Sequence, residues 1–451
     1  MNIRIAILLC VAMAAFFLNA CGDSVDASEQ AVVDDDESSL SKEMASLSSS
    51  KANSSSSSVK ASSSSSVKSS SSVALYPESF KPNDAEYPYA GIPRIVIETE
   101  KRQSIKDRET EIPAKLQIWG DSTAESEIMD LTIRGRGNSS WLYPKKPYLI
   151  KFEKKQSILG MPKAKKWVML ANYRDRTLIR NAIAFDIARY TQQSWVPQGV
   201  FVDVFLNGKP IGNYYLVEKI SNEKQRLNLG DDAYLLEIDR YYDELYKFKT
   251  DYRELPVNVK DPNELSSVQI SYIKDYVDSI ENLLYNDSTS NYQNLIDITS
   301  CADYWIVYEL TQNDEPNRPK SVYMYKENEG PLKMGPVWDF DWNTFAENKK
   351  GLVNKNAIWN GALLKRLEYR DLVQKNWNLY KPSFEKKVVK TIDSLNKYLK
   401  KSNAQNYQLW PIQIETGLIG DEDMSFEDAF ALMKDVYANR IRELDSLFSN
   451  L

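Results

Sequence analysis

Apolar residues along this chain first recur at every second position and later at every third or fourth. PRIVIETE, AKLQIWG, DLTIRGRG and KKPYLIKFE, between Pro93 and Glu153, have the lengths and patterns of strands. In the last of them Tyr148, Ile150 and Phe152 share one face and Lys151 takes the other. TLIRNAIAFDIARYT then sets Ile179, Ile183 and Ile187 on one helical stripe, with Ala184 and Ala188 beside it. GVFVDVFLNGKPIGNYYLVEKI reads as a hairpin turning at Asn207-Gly208, and AYLLEID as a further strand. From about Ser266 to Gln312 the spacing is mostly helical. KSVYMYK and KMGPVWDFD follow as a pair of strands, and the C-terminal part returns to helix. The pattern predicts an α+β fold: a β-rich lobe, then an α-rich lobe carrying a late β pair.

Within the late pair, VWDFDWN sets two aspartates among three large aromatic residues. As a strand it turns Trp338, Phe340 and Trp342 to the core and Asp339 and Asp341 to the other face. Two carboxylates that close repel unless a cation, a proton or basic side chains intervene, and an oxygen-rich pair suits Mg²⁺ or Mn²⁺. A strand end whose aspartates cap a turn is the plainer alternative.

Composition narrows the chemistry. The chain has no histidine, which excludes a Ser-His-Asp triad, an imidazole base and His-ligated zinc. Its three cysteines are Cys10, Cys21 and Cys301, too few for a Cys-rich zinc site. With 57 basic and 63 acidic residues, nothing argues for nucleic acid as a partner. Catalysis, if present, falls to carboxylates, Lys, Arg, Tyr, Ser or a metal.

The first twenty residues, with Arg4 ahead of an apolar run from Ile5 to Leu18, read as a signal peptide. They end in Leu18-Asn19-Ala20-Cys21, which resembles a bacterial lipobox and predicts lipidation at Cys21. Residues 21–75 are acidic, then Ser-rich, and have few core-forming side chains; this composition predicts a disordered tether. Residues 76–451 remain for the folded domain. The expected location is a membrane-anchored lipoprotein at the outer membrane or cell surface.

Three further groups carry candidate chemistry. NDEPNRPKS places Asn313, Asp314 and Glu315 in a helix-to-strand loop. RGRGNSSW offers a glycine-rich turn with Arg134 and Arg136 whose amides could form an anion nest. YLVEKI sets Glu218 late in a strand. Ser425 with Asp428 fits a capping box that opens the last helix.

Taken in order, IRGRGNSSWLYPKKPYLIKF, WVMLANYRDRTLIRNAIAFDIAR, FVDVFLNGKPIGNYYLVEKI, YLLEID, PKSVYMYK and MGPVWDFDWN resemble the CotH family of atypical kinases, over roughly Pro93 to Phe345. The resemblance implies a distant protein-kinase-like two-lobed fold that binds ATP with Mg²⁺ or Mn²⁺ and phosphorylates protein Ser/Thr hydroxyls. It implies that Asp339 binds metal with Asp341 in support, and that Asp314, or Glu315 one register on, is the catalytic carboxylate. Lys146 or Lys151 would contact phosphate, Arg134 lies in the glycine-rich turn, and Arg180 and Asn181 fall in the helix beside the nucleotide. Glu218 matches a family glutamate. The pattern departs at Pro319, where a kinase-type loop carries Asn five residues after its Asp. The competing reading is a non-catalytic surface module that keeps the fold and binds a protein, a glycan or a cell-wall polymer.

Overall fold

The computed structural model describes residues 75–78, 80–286, 291–411, 421 and 424–451. The chain divides into two units, Met1–Ser70 and Ser71–Leu451, and every described residue belongs to the second. The expected signal peptide, Cys21 and nearly all of the Ser-rich segment lie outside the described residues.

The fold is α+β. Seven strands close into a barrel: β1 (Arg94–Thr99), β2 (Ile112–Trp119), β3 (Met129–Gly135), β4 (Tyr148–Gln156), β5 (Ala164–Leu170), β6 (Gly199–Leu206) and β7 (Lys209–Glu218). Their order is β1-β2-β3-β4-β5-β7-β6, and the parallel pairing of β1 with β6, from Arg94↔Asp203 to Ile97↔Leu206, closes it. Alternation fills the inside, where Ile95, Ile97, Leu116, Ile133, Ile150, Trp167 and Leu216 are all buried. The hairpin turns at Asn207-Gly208, both at positive φ, as its sequence predicts.

Helix α1 (Arg180–Ala188) leaves β5 and buries Ile183 and Ile187 together with Ile179, the residue at its cap. Beyond the barrel, β8 (Tyr234–Ile238), β9 (Lys247–Lys249), β10 (Pro256–Asp261), β11 (Val322–Lys326) and β12 (Lys333–Met334) form a second sheet in the order β12-β11-β8-β10-β9. Around it lie α2 (Ser267–Tyr285), α3 (Ile298–Thr311), α4 (Asn360–Leu363), α5 (Leu367–Ser383), α6 (Val389–Leu409) and α7 (Phe426–Ser449). Apolar residues at i, i+3 and i+4 in α3, α5 and α7 meet in one core around Trp305, Trp377 and Phe448. Ser425 caps α7 by accepting the Asp428 N–H at 3.0 Å.

The late β pair is shorter than the alternation predicts. β11 and β12 pair only at Met324↔Met334 and Tyr325↔Lys333, after which the chain leaves the sheet. Pro336 has no N–H to give a ladder, and Asp339 stands at φ +70°, outside the strand region. Trp338 and Phe340 are buried as expected, packed on Phe185 and Tyr308, but Trp342 is half-buried and faces a cleft.

Candidate active site

A cleft of about 810 Å³ opens between the barrel end at the β3–β4 connection and the end of the second sheet where β8 finishes and β11 begins. Asp339, Asp341 and Glu315 all line it. They arrive by different routes. Asp339 and Asp341 follow β12 on a segment whose backbone is held by three side chains. Asn313 donates to the Asp339 carbonyl at 3.0 Å, Asn181 accepts the Phe340 N–H at 2.9 Å, and Arg180 donates to the Asp341 carbonyl at 3.3 Å. Glu315 follows α3, and its own N–H donates to the Asn313 side chain at 3.0 Å. Asn313 therefore ties both arms together.

The cleft lining is rich in both signs of charge, with its carboxylates crowded around Asp339, Asp341 and Glu315. Burial raises the pKa of the Glu315 carboxyl well above its ordinary range, and repulsion from Asp339 adds to this. The Asp341 carboxyl is pushed up to about 7, first by burial and next by Asp339. Burial raises Asp339 too, while Arg136 and Lys320 pull it back. Arg136 reaches over the Trp338 ring at 5.9 Å, and Lys320 stands 3.9 Å from Glu315. Glu237 and Asp239, from β8 and the turn after it, complete the acidic wall. Among the described residues no group of three or more acidic or Cys side chains is set to hold a metal ion by itself. The pair Asp339 and Asp341 fits a cation that takes its other ligands from a phosphate-bearing substrate and water, the usual habit of Mg²⁺.

Beside the cleft, and sharing Arg134, Arg136 and Lys260 with it, lies a recess of about 280 Å³. Lys166 and Lys219 add two more cations there, above apolar walls from Leu149, Val168, Ile220 and Leu235. The Lys219 ammonium is driven down to about 8 by burial and then by Lys260, Lys166 and Arg136. Cations so arranged favour a bound anion.

Several sequence candidates sit elsewhere. Asp314 turns from the cleft to Asn343, which donates to it at 3.0 Å, and to Lys349 at 3.2 Å. Lys146 donates to the Trp141 carbonyl at 2.7 Å and covers that ring. Lys151 points outward to an exposed ion pair with Glu111 at 3.1 Å. Glu218 is fully buried against Arg226 and accepts the Gln198 N–H at 3.0 Å. Arg180, paired with Asp175 and Asp421, and Asn181 support the Asp-Phe-Asp backbone without lining the cleft. Two amides of the glycine-rich turn are spent on protein: Gly135 N–H on the Asp107 carbonyl and Arg136 N–H on that of Pro147. The turn brings the side chains of Arg134 and Arg136 and the stretch from Gly137 to Ser140 to the cleft wall. Lys166, Lys219, Lys320 and Asp239, which line the cleft or the recess, are not among the sequence candidates. Each looks like an ordinary surface residue until β5, the end of β7, β8 and the α3–β11 loop meet.

Residues 133–444 match the family model described as CotH kinase protein. That span is most of the chain, and the chain belongs to the CotH kinase family. No curated protein matches it.

Proposed function

We propose that residues 76–451 form an ATP- and divalent-metal-dependent protein kinase acting on Ser or Thr hydroxyls, with the barrel and the α-rich part as the two lobes of a distant kinase-like fold. One observation carries the reading: Glu315, Asp339 and Asp341 share a single cleft, crowded enough to resist ionisation, with Arg136 and Lys320 beside them.

Asp339 and Asp341 would hold the Mg²⁺ or Mn²⁺ ion, which when bound supplies positive charge to neutralise phosphate oxygens. Arg136, Lys166 and Lys219 bind the phosphates of the donor substrate, and Leu149, Val168, Ile220 and Leu235 offer a surface to its base. Glu315 orients the acceptor hydroxyl and takes its proton, more readily once the charges of Asp339 and Asp341 are neutralised. Phosphoryl transfer needs positioning and charge neutralisation above all, and no histidine. Asn313 keeps the two carboxylate arms in register.

The test is transfer of labelled phosphate from ATP with Mn²⁺ to a protein acceptor. Wild type is expected to transfer, Asp339→Asn is not, and Glu315→Gln is expected to transfer about 100-fold less. A wild type that binds no nucleotide in the presence of metal returns the domain to the reading as a non-catalytic module for a protein or surface polymer.

We also propose membrane anchoring through a lipid on Cys21, on the strength of the segment Leu18–Cys21. Cys21→Ala is expected to release the protein from the membrane fraction. A wild type without lipid by mass spectrometry would end that reading.

A further inference from the structure

We infer that a second pocket, at the β12 edge of the second sheet, binds an N-acetylated aminosugar as one unit of a neutral glycan. It shares no lining residue with the cleft or with the recess beside it, so the inference stands apart from the kinase reading.

The pocket holds about 320 Å³, at the lower end of the range that small-ligand sites occupy. Three pieces of chain meet there: the connection from α1 to β6, the start of α3, and the β11–β12 pair with the two residues after it. Each piece is held in place by the protein itself. The Gln192 N–H donates to buried Asp303 at 2.7 Å, and the Gln192 amide donates to the Tyr380 hydroxyl at 2.8 Å. Asp297 caps α3 by accepting the Ser300 N–H at 2.9 Å, and the Ser300 hydroxyl accepts the Met334 N–H at 3.0 Å. The Ser194 and Tyr325 hydroxyls share a hydrogen bond of 2.7 Å. A wall fixed in this way loses little freedom when a ligand settles on it.

The chemistry of the wall selects the ligand. Its charged residues are Asp297 and Lys333, one of each sign, and Lys333 is already paired with Glu327 at 2.7 Å. An ion of either sign therefore gains little, and hydroxyls and amides do the recognising. Trp195 packs against the core yet stays partly exposed, and with Tyr325 it gives the pocket an aromatic surface for the C–H face of a sugar ring. The acetamido group is called for by Gln193. Both polar atoms of its side-chain amide are buried and have no hydrogen-bond partner among the described residues. Such an amide is costly to leave unpaired. An acetamido group carries the matching N–H and C=O, and turning the Gln193 amide towards it breaks no side-chain hydrogen bond of the protein. Gly335 keeps the space for that amide: a Cβ there would stand 3.3 Å from the amide oxygen. Met334 and Pro336 beside it offer the acetamido methyl an apolar wall.

The experiment is calorimetric titration of the full chain with three probes. Chitotetraose carries an acetamido group on every ring, cellotetraose has the same β-1,4-linked rings with hydroxyls instead, and an N-acetylated dipeptide amide has the acetamido group without a sugar. Chitotetraose is expected to bind with a dissociation constant of about 1 mM or below, cellotetraose about tenfold more weakly, and the peptide not at all. Gln193→Leu keeps the side chain's size and removes its amide. Because that amide has no partner to lose, the variant should melt no lower than wild type while its affinity for chitotetraose falls about tenfold. Wild type that does not bind chitotetraose overturns the inference. So does cellotetraose bound as tightly as chitotetraose, and so does the peptide bound as tightly, which would make the pocket a peptide site. A Gln193→Leu chain that binds like wild type places the sugar elsewhere, and one that melts lower shows the amide to be bonded within the protein; either overturns the inference. None of these outcomes bears on phosphate transfer in the cleft.

Discussion

Glu309 and Glu315 stand on either side of one short loop, and both are largely removed from water, yet their surroundings are opposites. Glu309 is fully buried, with Arg440 at 2.6 Å and the N–H groups of Val353 and Asn354 at 2.9 and 2.7 Å. Burial lifts its pKa only to about 6, because Arg440 and those donors favour the charged form. Glu315, 11% exposed at its side chain, has Lys320 at 3.9 Å as its ion-pair partner and faces Asp339 and Asp341. A buried carboxylate with a structural role comes with its donors. The cleft carboxylates come with each other, and Arg136 and Lys320 offset only part of the cost of burying them.

The largest effect expected is on the satisfied side. Arg440→Met leaves Glu309 buried without its counter-ion and should cost about 3–5 kcal/mol by denaturant unfolding. A loss under about 1 kcal/mol would place Glu309 with the cleft carboxylates instead. On the other side, Glu315→Gln should lower phosphate transfer about 100-fold with little change in melting temperature. Asp314→Asn, whose side chain faces Asn343 and Lys349, should matter less. The reverse order would move the base to Asp314.

The pH dependence sharpens the contrast. The folded pKa of Asp341, about 7, lies above its ordinary value near 4, so the native state binds more protons between them. Stability should fall as pH rises through that window. Asp341→Asn removes the penalty, and melting curves at pH 8 should show it more stable than wild type by on the order of 1 kcal/mol. The advantage should fade toward pH 4, and a variant less stable at pH 8 would contradict the reading. The smallest effect belongs to Lys151→Ala. Its exposed pair with Glu111 should be worth no more than about 0.5 kcal/mol, and nucleotide binding should not change.

Local features were legible in the sequence. The Ile179, Ile183 and Ile187 stripe, the Asn207-Gly208 turn and the Ser425 cap each depend on neighbours a few residues away. Barrel closure was not, because β1 meets β6 across most of the β-rich region and no local period encodes that pairing. The pairing of Asp339 with Asp341 was legible as chemistry, but its mechanism differs. The two share a cleft through a backbone held by Asn181, Arg180 and Asn313, not through strand alternation. The lysines show the same limit of local pattern. Alternation turned Lys151 away from the core, and on a closed barrel that direction leads to Glu111. Lys145, passed over, is fully buried and donates to Asn406 of α6 at 2.8 Å, a contact no local pattern foretells.

The proposed kinase function requires Asp339 and Asp341 to bind a divalent cation together with ATP. The most direct measurement is calorimetric titration of ATP into the purified chain with and without Mn²⁺, for wild type and Asp339→Asn. The account predicts binding by wild type that requires the metal, and at least tenfold weaker binding by the variant, with both proteins equally folded. Wild type that binds no ATP with Mn²⁺ present, or a variant that binds as tightly as wild type, would contradict it.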